Sequence, residues 1–136
     1  MWDLRAAQAQ AVMDVPGHPY AVMDEEGLVF AVACGGSGLI SLFDARSYAA
    51  GPFLSFPVPL KDHGQAESAP VQSMKFSTNQ QHMLVVIDGR IFIMDTFDGK
   101  EVVVWDTGVQ DSSVPVEASF SPDGSHVISG MQLLLP

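Results

Sequence analysis

Basic side chains are scarce in this chain: six Lys and Arg stand against 16 Asp and Glu, a formal net charge of −10. Nucleic acids are held through their phosphates by clustered Lys and Arg. The six here (Arg5, Arg46, Lys61, Lys75, Arg90, Lys100) are scattered singly, so direct nucleic-acid binding is not expected. Cysteine is nearly absent. Cys34 alone leaves no internal disulfide and fits a reducing compartment. Long apolar runs are missing too; the longest, residues 28–34, is far short of a membrane span, so no membrane partner is expected. The opening Met1-Trp2-Asp3-Leu4-Arg5 has no apolar core of the kind a secretory signal needs. An acidic, soluble, intracellular protein is the expectation, and the 47% hydrophobic content excludes a disordered tail.

What the chain does have is short β-branched stretches punctuated by turn residues. Apolar runs at 20–23, 28–34, 39–43, 83–87, 91–94, 101–105 and 126–129 have strand length and composition. Glu26-Gly27, Gly36-Ser37-Gly38, Asp88-Gly89 and Asp123-Gly124 supply tight turns between them. Asp88-Gly89 is the best hairpin signal, since the favoured two-residue turn needs positive φ at both positions. The pattern predicts an antiparallel all-β fold. Residues 6–13, Ala-Ala-Gln-Ala-Gln-Ala-Val-Met, have helix propensity instead and are expected to be helical or frayed.

The stronger signal is a repeat. Phe120-Ser121-Pro122-Asp123-Gly124, Phe76-Ser77-Thr78-Asn79-Gln80 and Met23-Asp24-Glu25-Glu26-Gly27 share one shape: a strand end, a turn, then an apolar strand. A second landmark recurs in phase, a large apolar residue followed by aspartate closing a strand: Trp2-Asp3, Phe43-Asp44 and Met94-Asp95. Trp105-Asp106 follows Met94-Asp95 too closely to be another copy. Two landmarks recurring together with a period of about 40–45 residues are the signature of WD40 blades, four strands each. In that frame 53–58 and 101–105 are fourth strands, and 6–13 falls at the outer-strand position of a first, incomplete blade.

The boundaries expected are the end of a truncated blade at 1–15, a blade at 16–60 and an exposed loop at 61–70. A second blade follows at 71–108, then the first half of a third at 109–130, and a divergent tail at 131–136. The fold class expected is a partial WD40 β-propeller with about two complete blades and fragments of two more, its ring not closed.

The chain resembles one WD-repeat family in particular, the WD-repeat subunit of COMPASS-type histone methyltransferase complexes, shared with the polyadenylation and transcription-termination machinery. The likeness is carried by Trp2-Asp3-Leu4-Arg5, by Glu26-Gly27-Leu28-Val29-Phe30-Ala31-Val32-Ala33 and by Leu42-Phe43-Asp44-Ala45-Arg46-Ser47-Tyr48 with Gly51-Pro52-Phe53. Lys75-Phe76-Ser77, Asp95-Thr96-Phe97-Asp98-Gly99 and 117–123 continue it. The Asp-Ala-Arg-Ser-Tyr form and Gly35-Gly36 look most like plant or green-algal members. The likeness stops near Gly130, and Thr78-Asn79-Gln80 departs from the usual Asn-Asp-Gly turn. The resemblance implies a non-catalytic scaffold without cofactor, nuclear, with two partners: the methyltransferase catalytic subunit and the phosphorylated tail of RNA polymerase II. The alternatives are a truncated isoform or gene-model fragment without independent function, or a generic WD40 interaction module of another complex.

Catalytic constellations are weak. His18, His63, His82 and His126 form no metal-ligand spacing, and His82 and His126 take equivalent places at the start of second strands. Gly35-Gly36-Ser37-Gly38 is followed by a strand rather than a helix, so it reads as a hairpin turn and not a phosphate loop. Cys34 reads as a small buried apolar residue. No catalytic, cofactor or metal residue is expected. The residues expected to matter are the repeat landmarks Trp2, Asp3, Phe43, Asp44, Phe76, Asp88, Met94, Asp95, Phe120 and Asp123.

Overall fold

The computed structural model describes residues 1–15, 19–34, 39–60, 62, 64, 69–109 and 114–131. Where turns follow every six residues or so, an alternating apolar chain folds back on itself before it can make a long strand. Among the described residues the result is ten strands and one three-residue 3-10 turn, Tyr48–Ala50. Strands β1 (Tyr20–Met23), β2 (Val29–Cys34), β3 (Leu39–Asp44) and β4 (Leu54–Pro57) form a four-stranded antiparallel sheet in chain order. Strands β5 (Val71–Phe76), β6 (His82–Ile87), β7 (Arg90–Asp95) and β8 (Glu101–Asp106) form a second. Strands β9 (Val116–Phe120) and β10 (Val127–Met131) form an antiparallel pair.

The sheets pack side by side, and β6 shows why this arrangement suits the sequence. Its side chains alternate between two cores: Met83, Val85 and Ile87 join Ala31, Ile40, Leu42 and Phe56 of the first sheet. Leu84 and Val86 join Val116 and Ala118 of β9. A strand apolar on both faces needs a sheet on each side, and a chain of repeats supplies them. Strand β7 divides in the same way, with Phe92 and Met94 in the first core and Ile91 and Ile93 in the second.

The Asp88-Gly89 hairpin has the expected form. Ile87 pairs with Arg90, and Asp88 and Gly89 take φ of 50° and 76°. Gly89 is required for a further reason: a Cβ there would fall 2.0 Å from the Val109 carbonyl oxygen. Strands β5 and β9 were bounded only at their ends by the repeat pattern. Gln72, Ser73 and Lys75, and Glu117 and Ser119, interrupt the apolar signal in them.

Residues 6–13 depart from expectation. No helix forms there; Trp2 and Ala9 make an antiparallel bridge, and the amides of Gln10 and Ala11 donate to the Met1 carbonyl at 2.8 and 3.3 Å. Alanine-rich propensity is worth only tenths of a kcal/mol per residue, about what one backbone partner outweighs. The expected turns at 35–38, and most of the loop at 61–70 and of the tail at 131–136, lie outside the described residues, as do His18 and His63.

Candidate functional site

The turns that follow first and third strands all lie at one end of the sheets, since each sheet runs antiparallel in chain order. The landmarks of the sheets fall beside these turns, except Asp88, which lies at the opposite end in the β6–β7 hairpin. After each third strand the aspartate turns the chain: Asp44 Oδ1 accepts from the Arg46 amide at 2.8 Å and Asp95 Oδ1 from the Phe97 amide at 2.7 Å. Asp3 Oδ1 accepts from the Arg5 amide at 2.9 Å in the same way. A short carboxylate capping the amide two residues on is an Asx turn, available to Asp and Asn but not to Glu geometry.

The first-strand turns repeat as closely. Ser77 and Ser121 each accept from the amide five residues on, His82 and His126, both at 3.0 Å. Each donates its hydroxyl to the side chain two residues on, to Asn79 Oδ1 at 2.7 Å and to Asp123 Oδ1 at 2.6 Å. Asp24 stands in that place in the first sheet, its Oδ1 accepting from the Leu28 and Val29 amides at 2.9 and 3.2 Å. Asp24 is buried, and its Oδ2 has no hydrogen-bond partner among the described residues. Gly27, Gln80 and Gly124 occupy one position with φ of 71°, 64° and 74°. The two landmarks of a sheet are also tied together: the Ala45 amide donates to the Leu28 carbonyl at 2.9 Å, as Thr96 does to Gln81 at 3.1 Å.

Large apolar landmarks differ in burial. Phe43 and Met94 are buried, Phe76 and Phe120 half-buried, but Trp2 is 71% exposed. Phe43 stacks on Phe30 across the β2–β3 pair, with ring centroids 5.1 Å apart. Trp105-Asp106 closes β8, a fourth strand, and Asp106 lies 3.6 Å from the Arg90 guanidinium.

One group of catalytic residue types does come together, which spacing did not foretell. Ser125 Oγ lies 2.7 Å from both Asp123 Oδ1 and His126 Nδ1. The order is wrong for nucleophilic catalysis. The hydroxyl proton goes to the carboxylate, so the imidazole donates to the serine rather than drawing its proton away. The group holds a turn. Asp123 is accordingly held well below the usual carboxylate range, by the Ser121 hydroxyl first and then by the Ser125 hydroxyl and amide. Among the described residues no three His, Cys, Asp or Glu side chains are grouped as a metal site would need.

This end presents exposed side chains on hydrogen-bonded turns. Phe97, 91% exposed, and the exposed Phe53 stand in or beside these turns, which also carry the exposed Glu25, Glu26, Asp98 and Asp123 together with Arg46 and Lys100.

The chain is 35% identical over 131 residues to the protein ANTHESIS POMOTING FACTOR 1 of Arabidopsis thaliana, covering 96% of this chain and 37% of that protein. It is 34% identical over 131 residues to WD repeat-containing protein 82 of Drosophila melanogaster, covering 96% and 39%. The repeat is the WD repeat. Set1 complex component swd2 of Schizosaccharomyces pombe is 27% identical over 137 residues, covering 95% of this chain and 37% of that protein. No family model matches the chain. The chain spans roughly two-fifths of the length of the curated relatives it matches. The antiparallel four-stranded sheets are WD blades, and the fold is a partial WD40 β-propeller whose ring is not closed among the described residues.

Proposed function

We propose that the chain is a non-catalytic WD-repeat adaptor of a Set1 (COMPASS-like) histone methyltransferase complex, working in the nucleus to couple chromatin modification to transcription by RNA polymerase II. The observation that carries this reading is the similarity along 95% of the chain to a protein named as a Set1 complex component, together with that to WD repeat-containing protein 82. The geometry agrees with a scaffold. Loops held on rigid sheets present side chains to a partner without a conformational cost. In this reading 16–60 and 71–108 are each one blade, 1–15 and 109–130 are parts of two others, 61–70 is a connecting loop and 131–136 a divergent tail. Trp2, Asp3, Phe43, Asp44, Phe76, Asp88, Met94, Asp95, Phe120 and Asp123 serve as structural landmarks rather than as contact residues.

The protein contact is assigned to the turn-bearing end, where Phe97 and Phe53 are exposed. Exposed aromatics on a fixed backbone are the residues that anchor protein interfaces. The test is tagged expression in a plant or algal nucleus followed by affinity purification. Recovery of a Set1-type catalytic subunit or of RNA polymerase II, reduced by Phe97→Asp, supports the proposal. A purification that contains neither, beside a full-length relative that brings both down, refutes it.

A further inference from the structure

The turns of the two four-stranded sheets join into one continuous strip. The β1–β2 turn is bonded to the β3–β4 turn through the Ala45 amide and the Leu28 carbonyl, 2.9 Å apart. The β3–β4 turn runs on to Phe53, whose amide donates to the Leu42 carbonyl at 2.9 Å. The β7–β8 turn then packs on β4: a Cβ at Gly99 would fall 2.5 Å from the Phe56 ring. Phe53 lies three residues before Phe56, and Phe97 two before Gly99. At about 3.3 Å per residue, an extended segment of roughly six residues spans both aromatics. Phe97 is 91% exposed and Phe53 59%, on backbones held by their own hydrogen bonds.

The strip is acidic, and its charge is unbalanced. Residues 24–28, 44–53 and 95–100 hold six carboxylates (Asp24, Glu25, Glu26, Asp44, Asp95, Asp98) against two cations, Arg46 and Lys100. Lys100 lies 3.9 Å from Asp98. Among the described residues no cation pairs with Asp24, Glu25 or Glu26. Asp24 is the informative member. Ser77 and Ser121 stand in its place in the other two first-strand turns and hold the same amide with an uncharged hydroxyl. The turn therefore does not need a carboxylate. Asp24 is only 5% exposed, and among the described residues its Oδ2 has no hydrogen-bond partner. Its Oδ1 accepts from the Leu28 and Val29 amides, so the carboxylate lies inside the turn that carries Glu25 and Glu26. A buried charge is screened by salt far less than an exposed one, and it reinforces the field of the two glutamates.

We propose that this strip is the docking site for an extended, Lys- and Arg-rich segment of a protein partner, with basic side chains over the 24–26 turn and an apolar side chain against Phe97 and Phe53. The proposal rests on the adaptor reading above and names the chemistry of the segment that the adaptor holds. Opposite charge supplies orientation and a fast encounter, and the aromatics supply contact area. A backbone already fixed by turn bonds loses little freedom on binding. An acidic or phosphorylated segment is repelled by the same field and needs another surface of the protein.

The test measures, by fluorescence anisotropy, the binding of labelled synthetic peptides to the purified chain, one of Lys-Leu-Ser repeats and one of Glu-Leu-Ser repeats. The Lys peptide is expected to bind, more weakly as salt is raised through about 0.15 M, where the Debye length is about 8 Å. The Glu peptide is expected not to bind. Glu25→Gln combined with Glu26→Gln should weaken binding about fivefold, and Phe97→Ser about as much. Glu117→Lys makes the same change of net charge near the far end of β9 and should alter binding less than about twofold. All four side chains are exposed, and urea midpoints at the wild-type value confirm that each variant folds. No binding of the Lys peptide, equal binding of the Glu peptide, an equal effect of Glu117→Lys, or no effect of the strip variants would each overturn the proposal. Any of these, beside a purification that still recovers the Set1-type subunit, leaves the adaptor reading standing. The expected pattern beside a purification without that subunit removes the adaptor reading and keeps the docking site.

Discussion

At the scale of single residues, the three first-strand turns form an internal substitution series. Glycine at the shared left-handed position carries little strain, whereas an L-residue there costs roughly 1 kcal/mol or more. Gln80 is the member that carries a side chain, with φ of 64°. Gln80→Gly is expected to stabilise the protein by about 1 kcal/mol, read as a shift of the urea midpoint without change in slope. Ser77 is the opposite case. It is fully buried, accepts from the His82 amide and donates to Asn79. Ser77→Ala leaves that amide without its side-chain acceptor and should cost about 1–3 kcal/mol. A change below a few tenths in the same titration would show that the turn is held by its backbone bonds alone.

Asp123 adds a pH dependence whose sign is fixed by its hydrogen bonds. Three donors favour the ionised form, so its carboxyl titrates lower in the folded chain than in the unfolded one. The stabilisation is fully present above the unfolded value of about 3.9 and fades as pH falls through the folded value. Asp123→Asn should flatten this part of the acid dependence, seen by comparing urea midpoints of the two proteins at neutral pH and in stepwise acidification. Parallel curves for the two would assign the acid sensitivity to other carboxylates.

At the scale of elements, what could be read from the sequence depended on whether local chemistry or a distant partner fixes the structure. Strands such as β2 and β6 were legible because their β-branched runs follow turns that make their own hydrogen bonds, at Asp24 and at Ser77. The Asp88-Gly89 hairpin was legible for the same reason, both residues having the positive φ that its turn requires. Of the two outcomes expected for residues 6–13, helical or frayed, the helical one is overturned because the partner that extends them, Met1–Asp3, contributes through pairing and not through composition. The repeat frame placed that segment as an outer strand, and the bridge from Trp2 agrees with the frame. The Ser125-His126-Asp123 group was missed since Ser125 is not one of the repeat landmarks; the Asp-Gly-Ser-His run was the only signal available. Gly89 gives the prediction at this scale. Gly89→Ala meets the Val109 carbonyl at 2.0 Å as well as a positive φ, so the β7 and β8 ends must move apart. The loss expected exceeds the roughly 1 kcal/mol of the φ term alone. A loss of no more than about 1 kcal/mol, the φ cost alone, would mean that the 107–109 segment yields freely.

At the scale of the whole molecule, stability passes from sheet to sheet through strands that face two cores. Phe92 lies in the core between the two full sheets, and Leu84 in the core shared with β9. Truncating either leaves a cavity in its own core, at about 3–5 kcal/mol for Phe→Ala and about 2–5 for Leu→Ala. The consequences differ because, among the described residues, the second core has two strands on its far side and the first has four on each. Leu84→Ala should release β9 and β10 first while the two four-stranded sheets persist, a local opening rather than global unfolding. Phe92→Ala should lower the protection of both sheets together. Amide hydrogen exchange separates the cases: in the Leu84 variant the fast-exchanging amides should be confined to β9, β10 and the turn between them. If instead β2 and β3 lose protection in step with β10, the sheets form one cooperative unit and the boundary between the cores carries no separate stability.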